Sequence, residues 1–165
     1  MIIGKGRSYE IIEFRKLIME QLVNSEEIRR LLDEANSAHP EETIPFNKSF
    51  PHEYVPETIK ETDKYINFDI RADIDSRNRT YKDLTVWFFI SCHQHVVPYW
   101  ENGRQFCWYD KVVCELDRIF SGQNILGVGA TYLVSNAPYY PQNKFKGRQL
   151  TFKVKDFYNG LKNGS

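Results

Sequence analysis

The period of the apolar residues changes partway along this chain, and that change constrains the fold more than any other feature. From Tyr65 the period is two: Ile66, Phe68, Ile70, Ala72 and Ile74 alternate with Tyr65, Asn67, Asp69, Arg71 and Asp73. A half-exposed strand reads this way, because successive side chains leave a strand on opposite faces. Upstream, Ile11, Phe14, Ile18 and Leu22 recur at three- and four-residue steps, the spacing of one helix face. Asn24-Ser25 breaks that helix, and Ser25 before Glu26-Glu27 is an N-cap with acids at the positive end of a second one. The second helix, with Ile28, Leu31, Leu32 and Ala35 inward, runs to about Asn36.

Residues 39–64 are the least regular. Pro40, Pro45, Pro51 and Pro56 remove backbone donors and disfavour helix just before them. Ile44, Phe46, Phe50, Tyr54 and Val55 lie among those prolines, too many large apolar groups for a disordered linker. An extended arm is expected, packed on its own domain or on a neighbouring subunit.

The strand expected over 84–96 is apolar on both faces through Val86, Trp87, Phe88, Phe89 and Ile90, so it is central in its sheet or covered on its second face. Glu101-Asn102-Gly103-Arg104 breaks it, and 106–120 reads as a helix with Val112, Val113, Leu116, Ile119 and Phe120 inward, ended by Ser121-Gly122. A third strand is expected over 127–134, then a long loop over 136–147 centred on Tyr139-Tyr140-Pro141. A fourth covers 149–156, with Leu150, Phe152 and Val154 inward. This order predicts an α+β fold. It comprises a four-stranded, mostly antiparallel sheet with a helix on one face, plus the N-terminal helical segment and the proline-rich arm. The expected core is Phe68, Ile70, Val86, Phe88, Leu150 and Phe152 with Leu116 and Ile119.

One domain of 165 residues is expected, with helices over 1–36, the arm over 37–64, the α+β core over 65–157 and a tail over 158–165. At 41% hydrophobic and 27% charged the chain is not wholesale disordered. Its 22 basic and 22 acidic side chains disfavour a bulk polyanion binder. The longest apolar run, 86–90, is too short for a membrane span, and charges follow Met1-Ile2-Ile3-Gly4 where a secretory signal would be apolar. Cys92, Cys107 and Cys114 form no C-x-x-C pair and read as reduced, mostly buried thiols of a cytosolic protein.

No set of residues rises to a catalytic or metal site. His93 and His95 share a strand face but supply only two of the three or four ligands zinc needs, so they read as exposed strand-end histidines. Cys107 and Cys114 lack a base. Asp73-x-Asp75-x-Arg77 fails the calcium-loop pattern. A magnesium nuclease pairing Asp69 with Lys153 or Lys155 is the enzymatic alternative, and solvated charges account for those residues more simply. The glycines at 122 and 127 have phosphate-loop spacing with Val128 where Lys belongs. No catalytic residue, cofactor or metal ligand is assigned.

Charge is uneven along the chain: residues 1–64 hold 9 basic and 13 acidic side chains, and 65–165 hold 13 and 9. Beyond residue 135, Lys144, Lys146, Arg148, Lys153, Lys155 and Lys162 face Asp156 alone. Identical subunits meeting head to tail can use such opposite-signed faces.

The helical start and the arm lead into Tyr65-Ile66-Asn67-Phe68-Asp69-Ile70 and an apolar strand over 84–90. Gly103-Arg104 then opens toward a helix with Tyr109-Asp110 and Leu116-Asp117, and Phe145-x-Gly147-Arg148-x-Leu150-x-Phe152-x-Val154-x-Asp156 follows. Over most of 60–157 this arrangement resembles the tail-terminator and tail-completion proteins of tailed bacteriophages, Gly147-Arg148 before an alternating final strand being the most suggestive piece. The resemblance implies a non-enzymatic virion subunit at the head–tail junction, assembled in the host bacterial cytoplasm. It also implies a ring, commonly hexameric, whose partners are its own copies, the tail tube, the head–tail connector and the tail sheath. No membrane and no sequence-specific nucleic acid enter that list. A small bacterial immunity or adaptor protein is the other class of binding module consistent with the residues. For a ring, the candidate contact residues are Arg71 and Trp87 on the exposed strand face, Tyr139 and Tyr140 in the loop, and Lys144, Lys146 and Arg148.

Overall fold

The computed structural model describes residues 8–74, 81–126 and 129–154. The turn expected at 75–79, Val128, Lys155, Asp156, Lys162 and the tail over 158–165 lie outside the described residues. The chain order is α1 (Tyr9–Asn24), α2 (Glu26–Leu31), α3 (Pro40–Thr43), β1 (Lys64–Ile74), β2 (Tyr81–His93), β3 (Pro98–Glu101), β4 (Arg104–Cys107), α4 (Trp108–Phe120), β5 (Thr131–Tyr139) and β6 (Phe145–Val154). The fold is α+β, with one four-stranded antiparallel sheet in the order β1-β2-β6-β5 and a separate β3-β4 hairpin.

The break at Ser25 is a built cap. Its Oγ accepts the Ile28 N–H at 3.1 Å and donates to Glu115 Oε1 at 2.9 Å, so one hydroxyl starts α2 and ties it to α4. Ser25→Ala is expected to cost about 1 kcal/mol from the lost cap alone. Chemical denaturation will show this as a lower midpoint at unchanged slope.

β2 is an inner strand, as its two apolar faces predict. On one face α4 packs Leu116, Ile119 and Phe120 over Phe68, Val86, Phe88, Leu150 and Phe152, and Phe120 lies 5.1 Å from Phe88 between ring centres. This is the expected core, with Ile70 only partly buried.

The other face holds the arm. Ile66 and Phe68 donate to the Lys48 and Phe50 carbonyls, both at 3.0 Å, so the arm closes the outer edge of β1 over that length. Asn67, read from its alternation as outward and solvated, is fully buried. Its side chain accepts from Phe50 N–H at 3.0 Å and donates to the Tyr54 carbonyl at 3.2 Å, standing in for backbone pairing. Phe50 stacks on Tyr54 at 3.8 Å, and Tyr54 meets Tyr65 edge-on at 5.4 Å. The arm thus packs on its own domain. It is not extended throughout, because Pro40 opens the single-turn helix α3, where its missing N–H costs nothing.

Three other expectations shift. The break at 101–104 is a tight hairpin turn: Asn102 and Gly103 have φ of 50° and 75°, the pair of left-handed residues that a two-residue turn requires. The helix therefore starts at Trp108, not 106. The third strand begins later and runs longer, taking Tyr139 out of the expected loop and into β5 opposite Gly147. Gly147 and Arg148 in turn lie inside β6 instead of ahead of it.

Candidate functional site

Five of the seven candidate contact residues fall on two opposite faces of the sheet, because residues directly across a ladder share a face, and Tyr140 and Lys144 lie in the β5–β6 turn. The registers Arg71–Thr85–Lys153 and Asp69–Trp87–Thr151 put Arg71 and Trp87 on the arm side of the sheet. Arg71 is exposed and pairs with Asp73 at 3.0 Å, while Trp87 is half-buried. Tyr139 joins this face. Its ring packs 5.5 Å from Phe89 and its hydroxyl donates to Glu53 of the arm, so it clasps the arm onto the sheet. Burial, then the Glu53 carboxylate, push its phenol up from the usual range.

Lys146 and Arg148 stand opposite Cys92 and Ile90, on the α4 side. The Lys146 ammonium lies 5.1 Å from the centre of the Tyr140 ring, and that ring is 61% exposed. Arg148 is held by Asn136, donating from Nε to Oδ1 at 2.8 Å and from a terminal nitrogen to the carbonyl at 3.0 Å. Lys144 occupies the exposed turn between β5 and β6. The sequence contains no Asp or Glu between Asp117 and Asp156. Among the described residues no ion pair neutralises Lys144, Lys146, Arg148 or Lys153, whereas Arg15, Lys16, Arg30, Lys48, Lys64, Arg71, Lys111 and Arg118 are all paired. The β5–β6 hairpin is thus a basic surface with an exposed aromatic at its tip.

Its edge is open but blunted. β5 is the last strand of the sheet, Val134 bulges between Leu133 and Ser135, and Pro138 takes one donor from the strand. Tyr132 and Val134 remain exposed there.

Concavities lie elsewhere on the molecule. A polar cleft of about 720 Å³ lies between α2 and α4. Its charges cancel locally, with Lys111 on Glu101 at 2.7 Å, Arg30 on Glu101 at 3.1 Å, and Arg118 and Ser25 on Glu115. The second is an apolar groove of about 440 Å³ between α1 and the arm, floored by Met19, Val23, Pro45, Pro51 and Phe68. At its rim Phe46 has φ of 60° and is 63% exposed. A left-handed aromatic residue costs about 1–3 kcal/mol, and this one is held out by bonds from its N–H to Ser49 O at 2.8 Å and from Lys48 N–H to Ile44 O at 2.9 Å.

The residues weighed for chemistry are dispersed. Asp69 pairs with Arg15 at 2.8 Å, and Lys153 is two strands away. His93 is not an exposed strand-end residue. It is buried at 3% exposure beside Phe145, its Nδ1 accepting from His95 N–H, and His95 has turned into a 3-10 turn at Gln94–Val96. His39, Glu41 and Glu42 bring possible ligand atoms together, but on the exposed surface.

The thiols differ from one another, and Cys114 contradicts the expectation of burial. Cys92 is buried, and that burial pushes it up to about 12, whereas Cys107 is half-buried and Cys114 is exposed in the polar cleft. A neutral thiol reagent is expected to label Cys114 first and Cys92 only on unfolding. Mass spectrometry of quenched samples gives the order.

The model of one protein family, described as YomW, matches residues 25–154, from the Ser25 cap to the end of β6. No curated protein and no solved structure matches the chain.

Proposed function

This chain belongs to the YomW family and is a phage-related protein; from that premise we propose that it is a structural subunit of the phage particle, forming a ring that terminates the tail tube and joins it to the head connector. The observation that carries this reading is the asymmetry of the sheet. One edge is closed by the chain's own arm through Lys48 and Phe50, and the other, β5, is open, exposes Tyr132 and Val134, and ends in the turn that carries Tyr140 and Lys144. Two unlike ends suit subunits that meet head to tail around a closed axis. The bulge and Pro138 discourage uncontrolled strand addition, as a subunit that must stay soluble until it meets its tube requires.

Catalysis has no part in this proposal, and the ring's partners are its own copies, the tube and connector proteins, and the sheath where a tail has one. Particles assembled in host cells lacking this chain are expected to accumulate as separate heads and tails, with joining restored by the protein supplied in trans. Complete infectious particles formed in its absence would overturn the proposal.

A further inference from the structure

Resting on the ring reading, we propose that the groove between α1 and the arm of one copy receives Tyr140 and the basic β5–β6 hairpin of a second copy. Charge complementarity points to this occupant. Residues 8–64, which include α1 and the arm on either side of the groove, carry seven basic and thirteen acidic side chains, Glu20 and Glu41 lining the groove itself, and the β5–β6 hairpin carries four basic and none acidic. These charges sit on different strands of the sheet: α1 packs beside β1, its Arg15 bonding Asp69, whereas the hairpin is β6 with the edge strand β5, and its Tyr139 bonds Glu53 of the arm. A translation of one copy along the sheet therefore brings unlike charges together, and a two-fold arrangement of hairpins brings like charges together.

The groove can take an aromatic anchor. Its floor is apolar, Phe46 stands exposed at one wall, and Tyr140 is an exposed ring with a polar tip outside the lining of its own copy's groove. The charges at the rim leave an acidic excess. Arg15 is spent on Asp69 and Lys16 faces Glu20 at 4.0 Å, which leaves Glu41 beside His39, with Glu42 next to it. Lys146 lies 5.1 Å from the centre of the anchor's ring, Lys144 is in the same turn, and Arg148, fixed by Asn136, follows along β6. Asp110 of α4 forms no ion pair with any of them among the described residues.

The test is self-association of the full chain at low salt, by sedimentation equilibrium up to about 1 mM, where an affinity of about −4 kcal/mol registers. The expected result is concentration-dependent growth beyond dimers. Lys146→Glu with Arg148→Glu should weaken it at least tenfold, as should Glu41→Lys with Glu42→Lys in a separate chain. Mixing the two variants should restore growth, because the intact groove of one meets the intact hairpin of the other and their two reversed surfaces are again opposite in sign. Tyr140→Ala, which leaves every charge in place, should also weaken growth, and unchanged thermal melts separate this from misfolding. A wild type that stays monomeric to about 1 mM, a dimer that stops at two, or indifference to these charge reversals overturns the proposal. If such variants still cap tail tubes, the ring reading stands and its contacts lie elsewhere. If growth behaves as expected and no tube is capped, the contact stands and the ring reading falls.

Discussion

Gly147→Ala is expected to leave too little folded protein to purify, a loss above about 4 kcal/mol. Gly147 lies inside β6 between Tyr139 of β5 and Ser91 of β2, so both its neighbours are ladder partners. A Cβ there would overlap the Ile90 carbonyl oxygen outright, and it would stand 2.7 Å from the carbonyl carbon and 2.9 Å from Ser91 Cα. The obstacle is backbone in the central strand, which cannot swing aside as a flexible side chain can. Gly103→Ala makes the control. No atom lies within 4 Å of a Cβ there, and only the strain of a φ of 75° is added, so the protein should remain foldable at a modest cost. Soluble yield and urea unfolding of the pair measure the difference.

The second large effect is expected at Trp108. Its side chain is fully buried where α4 begins, with Lys64 Nζ 5.8 Å from the ring centre and Nε1 donating to the Leu31 carbonyl at 2.7 Å. Leu31 ends α2, so this indole satisfies a terminal carbonyl that the helix itself leaves unpaired. Trp108→Ala combines a cavity of about 3–5 kcal/mol with a stranded buried acceptor. Trp108→Phe keeps most of the packing and loses only the bond, which should cost about 1–3 kcal/mol. Urea midpoints for the two variants separate packing from hydrogen bonding, and equal midpoints would mean that the bond carries the site.

The ladder of β1 against β2 was legible because every apolar position of its inner face obeys one period. The face of α4 was legible for the same reason, and the Ser25 cap because its residue type has one physical use there. Sequence could not show what covers the second face of β1. Asn67 and Tyr65 occupy the positions of solvated residues, and the fold of the segment with Phe50 and Tyr54, 11 to 17 residues upstream, buries them. The β3–β4 hairpin announced itself in Asn102-Gly103, yet strands of four residues are too short for alternation to appear. The strand expected over 127–134 ends five residues before β5 does, because Ser135, Asn136 and Pro138 resemble a turn. An edge strand tolerates them, since its outer groups have no ladder to lose. Among the candidate contacts, residue type picked out the exposed basic cluster but not its geometry. Tyr139 turned inward to hold the arm, Tyr140 turned outward, and Arg71 with Trp87 fell on the opposite face from Lys146 and Arg148. The groove was illegible, because it depends on the left-handed turn at Phe46, for which that residue gives no signal.

The ring reading is tested most directly by adding purified, folded protein to assembled tail tubes of its own phage and imaging them by electron microscopy. The account predicts density at one end of each tube and none along its length, and tubes so capped should then accept head connectors. Intact, folded protein that leaves both ends bare would contradict it.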